Sequence, residues 1–457
     1  MLICIPFGFL PRLYNFPIAV AALLSLLFSY INVSREKLGF SVIATKDEKF
    51  VLLQNDEQDS ENEQNVFTDS TGEFAGNVVH VEKCSFVKNY FANTNAAVQL
   101  RDYLSIYYKL ILIVPAIFAI ISLFRHYKFA EALVVYHIGL ILAIPIGVLF
   151  MYSIPFFIGN SRLSYDEVAI IGEDAVSDYA KTNIVSINDT TAFPPYNVKM
   201  KGLNTYNDYT LEKVLYYAAS GFSAVGGPLA DVFNIATKDA IPKSRRIKFI
   251  GSGRSYLCVK VDNDVIIFAD KYGMLSQGIE VGAENNDDKE CNIMYIACNT
   301  KLCARMYLKY TIDEDFLKIA KNLAKNGVCV GIKTFDPNIN SDLIASQTKL
   351  KKKDVRAIRL TSREEIIPAK EKIDSPIVSK GLSKSLLKAI PVCKRIVKIR
   401  KVGRVLKILA SIASTVFLGF VVFKRMNFIP SIAVLGYYAV IMLIMSVITF
   451  ILMPSKK

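Results

Sequence analysis

Five apolar runs constrain this chain more than any other feature. They cover residues 17–33, 103–124, 130–158, 405–423 and 428–453, and each approaches or exceeds the roughly 20 residues needed to cross a bilayer core. A soluble fold has no place for five such runs, so the sequence reads as a polytopic membrane protein. The runs leave most of the 457 residues outside the membrane. A secreted disulfide module, a disordered chain and a simple soluble enzyme are all excluded, in keeping with a mean hydropathy of +0.32.

The connections alternate long and short: 34–102, 125–129, 159–404 and 424–427. Both long connections therefore share one side of the membrane. Lys and Arg near span ends set orientation. The short loops carry Arg125, Lys128, Lys424 and Arg425, whereas the long-loop side has Arg35, Lys37, Arg101 and Arg162 and then six basic residues from Lys394 to Arg404. This excess places both long loops and the C-terminus in the cytoplasm of an integral plasma-membrane protein. Residues 1–16, apolar but interrupted by Pro6, Pro11 and Arg12, read as an interfacial stub or the remnant of a lost span. The first run lacks a basic n-region and a cleavage site, so it reads as a retained span and not a signal peptide. The eight Cys form no C-x-x-C pair and have no His at ligand spacing, as expected of reduced cytosolic thiols.

The net charge of +14 is concentrated. Residues 349–404 hold 18 Lys and Arg against five Asp and Glu. In residues 394–407 the basic side chains alternate with Ile, Val and Leu just before a span, a pattern suited to an anionic inner leaflet. A second membrane protein is a further candidate partner for this helix. Nucleic acid is not, because the stretch has no aromatic platform. The 34–102 connection is acidic, with 12 Asp and Glu against seven Lys and Arg, and its 54–64 run is polar enough for a solvated loop.

The large connection carries an α/β pattern. Residues 184–187 form an apolar strand ending in Asn188 and Asp189, the position at which doubly wound sheets present catalytic carboxylates. A helix is expected at 211–219, strands at 248–250, 256–261, 265–268 and 293–297, and a hairpin turn at Asn299-Thr300-Lys301. Residues 313–326 read as an amphipathic helix with Phe316, Ile319, Ala320 and Leu323 on one face, ended by Gly327. A buried strand, 328–332, leads to Thr334-Phe335-Asp336. The order implies an α/β core interrupted by a mostly β insertion.

The arrangement resembles the core of a P-type ATPase, most of all the heavy-metal-transporting branch. Ile144-Pro145-Ile146 falls where that family has C-P-C, 44 residues before Asp189. Asn188-Asp189-Thr190-Thr191 falls on D-K-T-G-T, Gly226-Gly227-Pro228-Leu229-Ala230 on the H-P-L-A stretch, and Gly251-Ser252-Gly253 on G-x-G-x-x-G. Thr334-Phe335-Asp336 falls on T-G-D, and Thr71-Gly72-Glu73 matches T-G-E. The resemblance implies about five membrane helices and a cytosolic haloacid-dehalogenase-like α/β core at 159–198 and 300–390. It further implies a nucleotide-domain-like α+β insertion at 199–299 and a small β-rich actuator-like domain at 34–102. The remaining segments are 1–33, 103–158 and 391–457, the stub with its first span, two spans, and the basic helix with the last two.

The departures shape the functional expectation. Either Asn188, an amide, occupies the acceptor position, or Asp189 does so without the neighbouring lysine and glycine. There is no G-D-G-x-N-D between 349 and 390, which leaves Asp374 as a weak candidate for Mg²⁺. Phe335 replaces the glycine of T-G-D, and Gly227 replaces the adenine-site histidine. Ile144 and Ile146 cannot ligate a cation, and His137 is the one histidine within a span. The expected protein keeps the architecture as a pseudoenzyme, without phosphoenzyme chemistry or metal transport, and has a regulatory, sensing or scaffold role. Two alternatives remain. One is a divergent ATP-driven cation transporter using Asp189, with Asp336 and Asp374 on Mg²⁺, which alone would need ATP and Mg²⁺. The other is a membrane-tethered ligand-binding module. Vestigial site candidates are Asp189, Asn188, Thr191, Thr334 and Asp336, with Gly227, Pro228, Gly251 and Gly253 for nucleotide. Convergence of Asp189, Asp336 and Asp374 within about 5 Å would leave a Mg²⁺ site open, because the ion needs oxygens at about 2.0–2.1 Å.

Overall fold

A computed structural model describes residues 49–54, 66–69, 72–75, 77–88, 98–142, 154–172, 174–237, 244–282, 291–360 and 370–424, with isolated helical positions between 23 and 30 and between 436 and 451. The water-exposed portion is built on two large sheets that share one hydrophobic core.

The first sheet has eight strands. Its continuous path includes β1 (Lys49–Gln54), β4 (Val78–Lys88), β5 (Val168–Ile170) and β6 (Ile184–Asn188). It continues with β13 (Cys329–Thr334), β14 (Val355–Arg359) and β16 (Ile377–Ser379), in the spatial order β14-β13-β6-β4-β1-β16-β5. The eighth strand, β15 (Lys370–Asp374), lies parallel beside β4. Strands β14, β13, β6 and β4 run parallel. Val185 and Ile187 of β6 and Val330 and Ile332 of β13 are buried, as expected of inner strands covered on both faces. The helix between them, α9 (Glu314–Lys325), buries Phe316, Ile319, Ala320 and Leu323. Asp313 caps it by accepting from the Phe316 N–H at 2.8 Å, and Gly327 follows at φ +68°.

The segment expected to form a small separate domain does not stand apart. Two of its strands, β1 and β4, lie inside the core sheet, and β4 pairs with β6 through Val78↔Ile184, Val79↔Val185 and His80↔Ser186. Gly72 and Glu73 of the T-G-E triplet fall in the hairpin of β2 (Val66–Asp69) and β3 (Gly72–Ala75). Thr71 lies outside the described residues.

The second sheet belongs to the insertion. Its strands are β7 (Val198–Thr205), β8 (Ile247–Ser252), β9 (Tyr256–Val261), β10 (Asp264–Ala269), β11 (Asn292–Cys298) and β12 (Lys301–Tyr310). It is antiparallel, in the order β7-β12-β11-β10-β9-β8. Asn299 and Thr300 both take positive φ, +48° and +70°, which is what a two-residue hairpin between right-twisted strands needs. The insertion's helices α6 (Leu211–Val225) and α7 (Pro228–Thr237) pack through Phe222, Phe233 and Phe268, with ring centroids 5.6 and 4.9 Å from Phe222. The chain enters and leaves through two hydrogen-bonded passages, Thr311 N–H to Asn197 O at 3.0 Å and Asp313 N–H to Ala192 O at 2.9 Å.

On the membrane side, α1 (Val98–Phe124) and α2 (Phe129–Leu142) form a hairpin against α12 (Ala389–Lys424). Packing is tight at Gly139, where an added Cβ would lie 2.6 Å from Pro115 and 3.0 Å from Leu418. Tyr127 donates to Val422 O at 2.9 Å and Arg125 lies over the Phe423 ring. The turn 125–129 thus meets the end of α12. Among the described residues one helix, Ser383–Lys424, is long and apolar enough to cross a membrane by length and composition. Most of the first and last runs lies outside the described residues, as does 143–153, with Ile144, Pro145 and Ile146.

Three boundaries move. The insertion runs past 299, because β12 pairs with β11 and β7 inside its sheet. The end of the third run falls in α3 (Ile154–Ser164), whose Phe156 is fully buried in the α/β core. There the buried Asn160 side chain accepts from Ile170 N–H at 2.8 Å and donates to Ile170 O at 2.9 Å. Asn160→Ala strands both backbone groups and should cost roughly 2–3 kcal/mol in thermal unfolding. The basic segment 394–407 is the first half of α12, a continuous 36-residue helix about 54 Å long. Cys393, Ile396 and Ile399 are fully buried against the core, and Arg395 donates to Asn322 Oδ1 at 3.2 Å. The segment is therefore part of a stalk and not a separate helix lying flat on a leaflet.

Candidate functional site

Strand β6 delivers Asn188 and Asp189 to the carboxyl edge of the parallel strands. Asn188 is the exposed last residue of the strand, and Asp189 opens the short helix α5 (Asp189–Ala192) with only 6% exposure. Parallel pairing of β6 with β13 sets Lys333 opposite Asn188 and brings Thr334 to Asp189. The Thr334 hydroxyl donates to Asp189 Oδ2 at 2.7 Å, and the Thr190 N–H donates to Oδ1 at 2.8 Å. Of the two possible acceptor positions, Asp189 is the one that faces Thr334.

Burial dominates the electrostatics of Asp189. It pushes the carboxyl up to about 7, and the nearby Asp336 adds to the rise, while the Thr334 and Thr190 hydrogen bonds and the Arg359 charge oppose it. Asp336 is also raised by burial. Its oxygens are already engaged, Oδ2 by the Tyr310 hydroxyl at 2.6 Å and Oδ1 by the Asn338 N–H at 3.0 Å. Arg359 spends its guanidinium on the carbonyls of Asp336 and Pro337, the second at 3.0 Å. Asp336 and Asp189 therefore share Thr334, which accepts from the Asp336 N–H at 3.0 Å, but they do not present a common set of free oxygens.

Asp374 is elsewhere. It is exposed at the end of β15, opposite Lys88 of β4. Continuing the β4–β6 register puts Glu82 level with Asn188, so Lys88 is six residues further along, about 20 Å at the rise of a strand. The three carboxylates do not converge. Among the described residues no group of three or more His, Cys, Asp or Glu could hold a metal. With Asp374 distant and no third metal-ligating side chain grouped with Asp189 and Asp336 among the described residues, the residues present do not supply the ligand set of a Mg²⁺ ion.

The remaining candidates fall unevenly. Gly227, expected to line an adenine site, is seated on Asp189: at φ +84°, a Cβ there would lie 3.0 Å from Oδ2. Pro228 is the buried first residue of α7. Gly251 and Gly253 flank Ser252, whose hydroxyl donates to Leu360 O, and Gly253 sits against the Tyr256 ring. Thr191 turns away, its hydroxyl 3.5 Å from that of Ser383. In the membrane bundle, His137 is buried with Nδ1 3.2 Å from Leu133 O, an ordinary contact one helical turn back. The seven described cysteines are free thiols.

These residues enclose a cavity of ≈ 160 Å³, lined by Glu82, Asn188, Asp189, Lys333 and Thr334 and roofed by Gly226 and Gly227. Drug-sized ligands occupy clefts of about 300–1,000 Å³, so this space would take only part of a nucleotide. Glu82 and Lys333 were not among the expected site residues. Lys333 could have been found from its place beside Thr334. Glu82 gave no signal, because nothing in the local sequence of β4 pairs it with a strand about a hundred residues away. The Lys333 charge also reinforces burial in pushing His80 down to about 3.

No family model matches the chain, and no curated protein does. Solved structures do. The likeness is to heavy-metal P-type ATPases. One structure of a zinc-transporting PIB-type ATPase is 14% identical over 94% of this chain and 86% of its own, at a TM-score of 0.44. A second, also of a zinc-transporting PIB-type ATPase but in the E2.Pi state, gives 12% identity, 89% and 76% coverage and a TM-score of 0.41. The catalytic domain of the CPx-ATPase CopB-B gives 13% identity over 43% of this chain and 69% of its own, at 0.29.

Proposed function

We propose that this chain is a P-type-ATPase-like membrane protein that forms no phosphoenzyme and moves no metal, and acts as a regulatory or scaffold subunit. The observation that supports it is the state of Asp189: a buried carboxyl that accepts from Thr190 and Thr334 and belongs to no group of three metal-ligating side chains among the described residues. Phosphoryl transfer asks for an ionised in-line nucleophile and charge compensation on the transferring oxygens. Placement of β1 and β4 inside the core sheet points the same way, since a segment tied through β4 to the strand that carries Asp189 has no freedom to swing over it. The exposed Lys398, Lys401 and Arg404 of α12 suit contact with anionic headgroups at the inner leaflet.

The test is direct. Purified protein incubated with radiolabelled ATP and Mg²⁺ should give no acid-stable, hydroxylamine-sensitive label. A label that disappears in Asp189→Asn would overturn the reading and restore the transporter alternative. That alternative draws its support from Glu82, which brings a carboxylate to the cavity that Asp374 does not reach. It predicts a metal-dependent turnover abolished by Glu82→Gln.

A further inference from the structure

The insertion does more than lie near the core; three contacts close it over Asp189. Phe249 of β8 meets Phe335 edge to face, with centroids 5.4 Å apart. The Ser252 hydroxyl, on the same strand, donates to Leu360 O just beyond β14. Gly227, between α6 and α7, sits against the Asp189 carboxyl. Behind these contacts the apolar core runs unbroken, from Ile187 and Ile332 of the first sheet to Leu229 and Phe233 of the insertion.

Two of the contacts are made by residues that the resemblance marks as losses. Phe335 stands where a glycine would let the backbone approach phosphate, and its ring, 5% exposed, instead provides the surface for Phe249. Gly227 stands where a histidine would meet adenine. A Cβ there would lie 3.0 Å from Asp189 Oδ2, a tight contact, and the positive φ is one that L side chains rarely adopt. The same two substitutions that remove nucleotide chemistry therefore make close approach of the two halves possible.

We infer that Phe335, Ser252 and Gly227 form an autoinhibitory latch, which holds the insertion shut on the core and excludes nucleotide from the Asp189 cavity. The inference rests on the reading of the chain as P-type-ATPase-like, but it concerns access of nucleotide and not phosphorylation, so the two can fail separately. Opening requires loss of the aromatic contact and of the Ser252 hydrogen bond, with the hydrogen-bonded passages at Asn197–Thr311 and Ala192–Asp313 as the hinge.

The chain has no Trp, so Phe249→Trp in the full-length protein, in detergent or nanodiscs, supplies a single fluorophore at the contact. With the latch closed, emission should be blue-shifted and shielded from iodide. Adding Phe335→Ala should shift it to the red and make it accessible. On the Phe249 background, Phe335→Ala should bind MgATP at least tenfold more tightly than the parent, measured by calorimetry. Ser252→Ala, which removes no packed carbon, should give a gain of threefold or more and decides the question if Phe335→Ala does not fold. A reporter already accessible to iodide in the parent overturns the latch. So does nucleotide affinity that is equal in the parent and the opened variants, or that stays undetectable in both.

Discussion

Asp189→Asn should make the protein more stable at pH 8 than the wild type, and leave the two nearly equal near pH 4. The folded carboxyl titrates at about 7 against an ordinary value of 3.8, and burial is the largest cause. The folded chain therefore holds a proton that the unfolded chain releases. Stability associated with this group is fully present below about pH 4, falls as pH rises towards 7 and is level above that. A rise of this size corresponds to roughly 4 kcal/mol. Asn carries no charge, can accept from the Thr190 N–H through Oδ1 and can donate from Nδ2 to the Thr334 hydroxyl oxygen, so it escapes the loss. Asp336, raised in the same direction, is present in both proteins and cancels in the comparison. Denaturation monitored at several pH values in one detergent measures the difference. A variant no more stable than wild type at pH 8 would mean that a cation compensates the Asp189 carboxylate, and would favour the transporter alternative.

Local signals in the sequence reached some parts of this arrangement and not others, for a physical reason. The insertion's hairpins, the capped α9 and the strand leading to Asp189 are each specified within about a dozen residues, by alternation, a cap or a left-handed turn, and all appear where expected. Parallel pairing has no such local signature, because its partners are set by packing between distant segments. That is why the 34–102 segment read as a separate small domain and why Glu82 went unnoticed, while Asp374, conspicuous as a lone carboxylate, proved distant. It is also why Gly227 and Phe335 read as two independent departures. Only in three dimensions do they line one cavity.

The place of β4 makes a prediction that a separate N-terminal domain would not. Val79 is 1% exposed, lies opposite Val185 of β6 and packs in the core that also holds Ile187 and Ile332. Val79→Asp puts an unpaired carboxylate into that core, a change costing more than about 4 kcal/mol. It should also strip β6 of the partner on one edge, leaving its backbone groups unpaired beside Asp189. Hydrogen exchange should then show lost protection in Ile184–Asn188 and Cys329–Thr334, even though those strands are about a hundred residues or more away in sequence. Val79→Ala, which removes carbon without adding charge, should weaken the same amides by a smaller amount. Unchanged protection of these two strands in Val79→Asp, with exchange rising only around β1 and β4, would mean that the segment carrying β1 and β4 folds on its own. That segment would then be free to move relative to Asp189, and the structural support for a protein without a phosphorylation cycle would be reduced to the surroundings of Asp189 alone.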